Sequence, residues 1–575
     1  MSGTPHVIAS FIREFAEKND LRDLPESQQF EHLLSFLLFR PSIHDRFSTG
    51  DVTTGPGETG VDGACVVLDG NLILTAEDAQ QFLANKPSSS VVAEVGFFQA
   101  KLSQSFSREE ILGFGGAVVE TLTDQDVPTP QDTYMVEVGR IYRALLANAA
   151  KLDLARAVCR AYFCCLGEWK NQPHPAAAIQ KLKNDIDKAQ FFSTVHVDPV
   201  DRNGVRELWN DAMRAQEATL PTVARFPFPA MPGVDNAVVA LVRAQDFVDK
   251  VIRDKSGKVR IGIFDQNVRD FEGISNPVNQ KIRSTVSSPD TRRRFGIMNN
   301  GVTIVAKDMA PAADSYVLRN YQIINGCQTS NVLDRTRDEL TEDVLLQVRL
   351  IQTAVSGILD DVVEATNSQT SVPPYQFVAN CKLAVETQEF FRSYPEDPNH
   401  RLHFERRKSE FAEIGISNTR VVTIQDIART FGSVFLEEPH LVASSPNQAF
   451  SVLRDRLFRD NDSPHMYYAA AFAHYRLVLL KLAGRLKIPQ PRLYWHVLTA
   501  ARRIAAGKLP SNQSRKKQEK HCEAFLSRLW EPTEALALFE EAYDAIRKNT
   551  SQIDRDRLRR QAFTSEYLNA LKMPS

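Results

Sequence analysis

The chain has 575 residues, 43% of them apolar and 24% charged, with 26 glycines and 29 prolines. At roughly 150 residues per domain this length makes three or four domains, and the composition excludes a collagenous, low-complexity or disordered chain. Lys and Arg total 69 against 71 Asp and Glu, a formal charge of -2, which excludes an indiscriminate polycation but leaves room for a local basic groove. The seven cysteines are scattered and contain no C-x-x-C pair, so they read as reduced thiols of a cytoplasmic protein and not as a zinc or disulfide framework. The first twenty residues carry acids and an arginine within their apolar stretch, which fits neither a signal nor a transit peptide. No apolar run approaches the roughly 18 residues that cross a bilayer, so no membrane partner is expected.

In chain order, Ser27 to Arg40 places Phe30, Leu33, Leu34, Leu37 and Leu38 at helical spacing, with Ser27 as N-cap, Pro41 as stop and Glu31 beside the apolar stripe. A polar, Gly-rich loop follows, and VDGACVVLDGNLILT reads as two strands joined at Asp69-Gly70, a dipeptide suited to a tight hairpin. Asp62 opens the first strand. The stretch Ala76 to Ser90 is an insertion to be looped out. Val91 to Leu102 is a third strand whose period of two sets Val95, Phe97, Gln99 and Lys101 on one face, with Glu94 on the other. A helical stretch from Arg108 to Leu154, broken near Pro128 and Pro130, leads to strands at Ala157 to Leu166 and Phe191 to Val197. The order of helix, three strands, helix, strand, helix, strand is that of restriction-endonuclease-like folds.

Cleaving a phosphodiester calls for a divalent cation that polarises the phosphate and acidifies a water, and Mg²⁺ prefers one or two carboxylates with retained waters. Glu31 and Asp62 supply carboxylates and Gln99 a carbonyl oxygen, while Lys101 is placed to orient the water and offset charge. The set is similar to the Gln-containing, Mrr-type variant of the PD-(D/E)XK nuclease motif. A short Asp…Gln-x-Lys pattern arises by chance in long chains, and the plain alternative is that Asp62 caps a turn while Lys101 sits at a strand end. The 36 residues between Asp62 and Gln99 are a long spacing for the motif.

The middle of the chain holds an ordered series: Asn267-x-Arg269 with Val278-Asn279, Phe295 to Ile304 (FGIMNNGVTI), Ile323 to Thr329 (IINGCQT), Ala365 to Gln369 (ATNSQ) and Phe404 to Arg407 (FERR). Together with the N-terminal blocks this series resembles the abortive infection phage resistance (AIPR) family across most of residues 30 to 410. The resemblance implies a prokaryotic antiviral defence role. Read physically, IINGCQT is a strand, a Gly turn and a polar helix start, a combination that binds anions through free N–H groups and the helix dipole. Asn299, Asn300 and Gly301 form a second turn. The expectation is one ligand pocket or nucleic-acid contact shared by Asn299, Asn300, Gly301, Asn325, Gly326, Gln328, Thr329, Asn367, Gln369, Arg406 and Arg407. For any single Asn-Gly pair, a simple turn is the competing explanation.

From about Thr423 the pattern is helical, and Tyr467, Tyr468, Phe472 and Tyr475 fall on core stripes. Arg502 to Lys520, with seven basic residues and one acid, reads as a basic linker between two helices. The fold expected is α/β: a restriction-endonuclease-like domain over 1–215, a central AIPR-type α/β recognition domain over 216–420 and an all-helical region over 421–575. The function expected is Mg²⁺- or Mn²⁺-dependent nucleic-acid cleavage in antiphage defence. DNA is favoured over RNA, with accessory defence proteins and a second copy of the chain as candidate partners. The alternative is a nucleotide- or partner-sensing regulator whose nuclease-like domain is inactive and binds DNA. The P-loop pattern G-x-x-x-x-G-K-[ST] is absent, which disfavours a motor ATPase.

Overall fold

A computed structural model of the chain describes residues 4–43, 46–54, 60–84, 86–123, 133–153, 156–213, 216–254, 259–260, 263–264, 277–353, 378–379, 381–406, 416–442, 446–488, 492–509, 514–550, 553–554 and 556–571, with single residues at 257, 355, 358, 362, 365, 411 and 490. The fold is mixed α/β, with a five-stranded sheet, a six-stranded sheet and a helical C-terminal part.

In the first part, α1 (His6–Lys18) and α2 (Glu26–Phe39) precede β1 (Gly63–Leu68), β2 (Asn71–Ile73), α3 (Ala76–Ala84), β3 (Ala93–Lys101), α4 (Arg108–Thr121), α5 (Thr133–Ala147), β4 (Ala157–Cys165), α6 (Pro173–Asp187), β5 (Phe192–Val200) and α7 (Arg202–Met213). The sheet order is β2-β1-β3-β4-β5. β1 is antiparallel to β2 and β3, whereas β3, β4 and β5 run parallel. Alternation along β3 sorts its side chains into two cores. Val95 and Phe97 pack with α4, α5 and α6, while Phe98 and Ala100 pack with α1, α2 and α7. Gln99 and Lys101 continue the Val95–Phe97 row.

Two local expectations need correction. α2 begins at Glu26 behind Pro25, so Ser27 lies inside the helix and is not its cap. The stretch after β2 is not merely looped out: α3 buries Ala76, Ala79 and Leu83 in the sheet core, and the Ala76 N–H donates to Glu137 on α5 at 2.8 Å. Glu94, on the face opposite Gln99, pairs with Arg160 at 3.1 Å and accepts the Ser42 hydroxyl. The Asp69-Gly70 hairpin forms as expected, with φ of 48° and 83° closing Leu68 onto Asn71.

The second sheet runs β6-β10-β9-β11-β8-β7, built from β6 (Glu217–Pro221), β7 (Ala224–Pro227), β8 (Asn236–Arg243), β9 (Val302–Ala312), β10 (Ser315–Asn325) and β11 (Leu345–Gln352). α8 (Ala244–Asp246) continues into a π-helical turn at Phe247–Ile252; α9 (Pro277–Ser287), α10 (Phe295–Met298) and α11 (Cys327–Arg335) follow. The central sheet has its own core around Val302, Ile304 and Leu318, and a fourth core extends from Ala379 to Tyr567 and takes in Leu383, Phe404 and Val422 as well as the later helices. Tyr467, Tyr468 and Phe472 are fully buried there and Tyr475 nearly so.

The basic stretch Arg502 to Lys520 is largely helical. Arg502 lies in the helix Leu493–Ala506 and is 1% exposed; Arg515 opens the helix Arg515–Ser527. The helical part docks on the first through Arg420 with Asp20 at 3.0 Å and Arg492 with Glu77 at 2.8 Å. None of the seven cysteines is joined in a disulfide among the described residues. Among the described residues no helix is long and apolar enough to cross a membrane.

Candidate functional sites

Glu31 projects from the middle of α2, Asp62 immediately precedes β1, and Gln99 and Lys101 close β3. Asp62 clasps the chain on both sides of Gln99: its N–H donates to the Phe98 carbonyl at 2.9 Å, and its carboxylate accepts the Ala100 N–H at 2.7 Å. Burial pushes the Glu31 carboxyl up to about 7, the neighbouring Asp62 charge adds to this, and Lys101 opposes it. Asp62 is likewise raised by burial, against the Ala100 hydrogen bond and Lys101. Glu31, Asp62 and Lys101, from three separate elements, therefore stand within reach of one another's charge.

Gln99 is 5% exposed, and its carbonyl oxygen is buried without a hydrogen-bond partner among the described residues. Buried acceptors are nearly always satisfied, so this oxygen is available to accept from a water or to ligate a cation. By type, two carboxylates held above their ordinary range and a free carboxamide oxygen are donors that a hard divalent cation takes. Among the described residues no group of three or more His, Cys, Asp or Glu side chains could hold a metal. A cation here would rest on two carboxylates, one carboxamide and water.

The two Asn-Gly turns of the central sheet come together. Gly301 (φ 78°) and Gly326 (φ 95°) both occupy the left-handed region. A Cβ on Gly326 would lie 3.0 Å from the Gly301 carbonyl, and one on Gly301 would lie 2.6 Å from the Gln347 carbonyl. Asn299 accepts the Gly301 N–H at 2.9 Å and donates to the Thr329 hydroxyl at 3.1 Å. Asn279, fully buried, donates to the Gln328 carbonyl at 2.8 Å. Gly326 caps α11, and the Ser330 hydroxyl in its first turn is buried without a partner among the described residues. Asn300 lies in the turn entering β9, and Asn325 ends β10, opposite Thr303.

Asn267, Arg269, Asn367, Gln369 and Arg407 lie outside the described residues. Arg406 points into the helical part, donating to Gln388 at 2.9 Å and to the Ala379 carbonyl at 2.9 Å. The basic run before the first turn is matched by acids: Arg292 and Arg293 reach Asp343 at 3.5 and 3.3 Å, and Arg283 reaches Glu339 at 3.1 Å. Sequence reasoning passed over Arg46, which meets the buried Glu405 of the FERR block at 3.6 Å. The acid inside an otherwise basic block was the available signal.

No curated protein and no solved structure matches the chain. A family model described as AIPR protein matches residues 264–557. The match takes in both Asn-Gly turns, the FERR block and most of the helical part, and it begins well after Lys101. Spanning just over half of the sequence, it shows that the chain belongs to the AIPR family of abortive-infection, phage-resistance proteins.

Proposed function

We propose that this AIPR protein acts in antiphage defence as a metal-dependent nuclease whose cleavage site is formed by Glu31, Asp62, Gln99 and Lys101, with DNA as the favoured substrate. The observation that carries the reading is that Glu31, Asp62 and Lys101, from three separate elements, stand within reach of one another's charge, with both carboxyls raised by burial and Asp62 held by the Ala100 N–H; the buried Gln99 carbonyl, without a partner among the described residues, supports it. Supporting it is the strand order β2-β1-β3-β4-β5 with a parallel β3–β4 pair, the arrangement expected of a restriction-endonuclease-like sheet. A magnesium or manganese ion held by Glu31, Asp62 and Gln99 would supply polarisation of a phosphate oxygen and a more acidic water. Asp62, fixed by the Ala100 N–H, keeps its orientation through turnover. Lys101 donates a hydrogen bond to the attacking water and offsets the charge that gathers on the phosphate.

The test offers purified protein double-stranded DNA, single-stranded DNA and RNA, with and without Mg²⁺. Lys101→Ala and Asp62→Ala are expected to lose cleavage by a factor of about 100 or more while keeping the native fold. Undiminished cleavage by both variants would end the proposal.

A second reading is favoured by the contact between the Gly301 and Gly326 turns and by the buried Ser330 hydroxyl at the α11 start. In it, the central domain binds a phosphate-bearing ligand and the N-terminal domain binds DNA without cutting it. Calorimetric titration with nucleotides, paired with the cleavage assay, separates the two.

A further inference from the structure

Residues 46–54 run between the C-terminal helices and the strand that Asp62 opens. On the strand side, the Thr54 N–H donates to the Asp62 carbonyl at 3.0 Å, the Ala64 N–H donates to the Val52 carbonyl at 2.9 Å, and the Thr54 hydroxyl donates to the Val61 carbonyl at 2.7 Å. The segment thus lines the entrance of β1 through a 3-10 turn at Thr49–Asp51 and a single antiparallel bridge from Thr53 to Gly63. It also reaches α2, where the Thr49 hydroxyl lies 2.9 Å from Nδ1 of His32, the neighbour of Glu31.

On its other side the same segment is held by the helical part. Arg46 meets Glu405 at 3.6 Å, with Glu405 buried. Gly50 lies so close to Leu482 that a Cβ there would come within 2.4 Å of Cδ2. Leu482 and Ala483 pack against the core formed by α1, α2 and β1. The Asp51 carboxyl, raised by burial, faces Lys481 and Arg429 as well as Asp426. Hydrogen bonds therefore run from this segment to Asp62 itself and to the residue beside Glu31, while its outer contacts belong to the helical region.

We propose that residues 46–54 are a bracket through which the helical C-terminal region sets the positions of Glu31 and Asp62, with Arg46, Glu405 and Leu482 acting as positioning residues. This rests on the reading of Glu31 and Asp62 as a metal site. An isolated N-terminal sheet would keep its core but lose the far side of the bracket, so metal affinity depends on docked helices. The FERR block, on this view, reports the state of the family-specific region to the site.

The experiment uses the full chain and compares Arg46→Ala, Arg46→Lys, Glu405→Gln and Leu482→Ala with wild type. One readout is backbone hydrogen exchange in peptides covering 46–65, with β4 and β5 as internal controls; the other is Mn²⁺ titration by calorimetry. Arg46→Ala, Glu405→Gln and Leu482→Ala are expected to speed exchange in 46–65 about tenfold, leave the controls unchanged and weaken Mn²⁺ binding about tenfold. Arg46→Lys, which keeps the charge, is expected to restore most of the affinity. Should Leu482→Ala loosen the controls too, Glu405→Gln decides, because it preserves side-chain shape. Unchanged exchange in 46–65, or faster exchange with undiminished Mn²⁺ affinity, overturns the bracket. Wild-type protein that binds no Mn²⁺ overturns the metal reading instead, and with it the positioning role, even where the exchange difference persists.

Discussion

The Asp62 carboxylate accepts the Ala100 backbone N–H at 2.7 Å, so one of the two candidate metal-site acids is tied to the strand that carries Gln99 and Lys101. A hydrogen bond of this kind favours the ionised carboxylate, yet burial outweighs it and Asp62 stays above its ordinary range. The same balance holds at Glu31, where a nearby acid adds to burial and only Lys101 opposes. Without a cation, the site holds negative charge at a cost.

That cost has a definite pH signature. Glu31 moves from 4.5 to about 7 in the folded chain, so between those values the folded state holds a proton that the unfolded state has released. Its contribution to stability is fully present below about 4.5 and is lost as pH rises through 7. The loss is on the order of 3 kcal/mol, with Asp62 acting in the same direction. Urea midpoints of metal-free protein across this window should fall with rising pH, and Glu31→Gln should flatten the slope. Mg²⁺ should flatten it in wild type and leave Glu31→Gln little changed. A wild-type midpoint that rises through the same window would contradict the assignment.

Gln99 gives a prediction of opposite sign for stability and for binding. Its carbonyl oxygen is buried and has no partner among the described residues, and replacing such a group by an apolar one of similar size removes a desolvation cost. Gln99→Leu should therefore leave metal-free stability unchanged or raise it by about 1 kcal/mol. Mn²⁺ affinity should fall. If the variant instead unfolds more easily and binds Mn²⁺ as well as wild type, Gln99 is a structural residue.

Much of this site was legible because it lies in local patterns. The alternation Val95, Phe97, Gln99, Lys101 is a property of one strand, and Asp69-Gly70 names its own turn; both survive in the folded chain. Asp62's clasp on Ala100 joins positions 38 apart, and nothing local announces it. The misjudged elements share a cause. Ala76–Ala84 is short and broadly polar, and it is a helix because α5 and the sheet cover one face of it. Arg502 reads as a linker charge but is buried because Glu437 and two carbonyls receive it. Long-range partners decided each case, and spacing along the chain does not encode them.

The contact between the two Asn-Gly turns makes Gly301 intolerant of substitution. A side chain there meets both a positive φ of 78° and the Gln347 carbonyl at 2.6 Å, which is backbone of β11 and cannot swing aside. Gly301→Ala should cost about 2–3 kcal/mol, read as a lower urea midpoint. Thr329→Val, which removes the hydroxyl that Asn299 meets at 3.1 Å, should cost about 1 kcal/mol. A neutral Gly301→Ala would mean that the turns do not meet as described.

The basic stretch Arg502 to Lys520 divides into residues that hold the fold and residues that face water. Arg502 donates to the Val434 and Gly507 carbonyls at 2.9 and 2.7 Å and pairs with Glu437, which also forms an ion pair with Arg503 at 2.9 Å. Arg515 pairs with Glu386 at 2.6 Å. Lys508, Lys516, Lys517 and Lys520 are exposed. Arg502→Met should cost about 3 kcal/mol, since it strands buried acceptors, and should lower the thermal midpoint. Lys516→Ala and Lys517→Ala should leave stability within about 0.5 kcal/mol of wild type. If this face contacts DNA, each lysine removed should reduce the salt dependence of binding by about one phosphate contact. An unchanged salt slope in the double lysine variant would assign these lysines to solvation alone and move the search for the DNA-contacting surface to another part of the molecule.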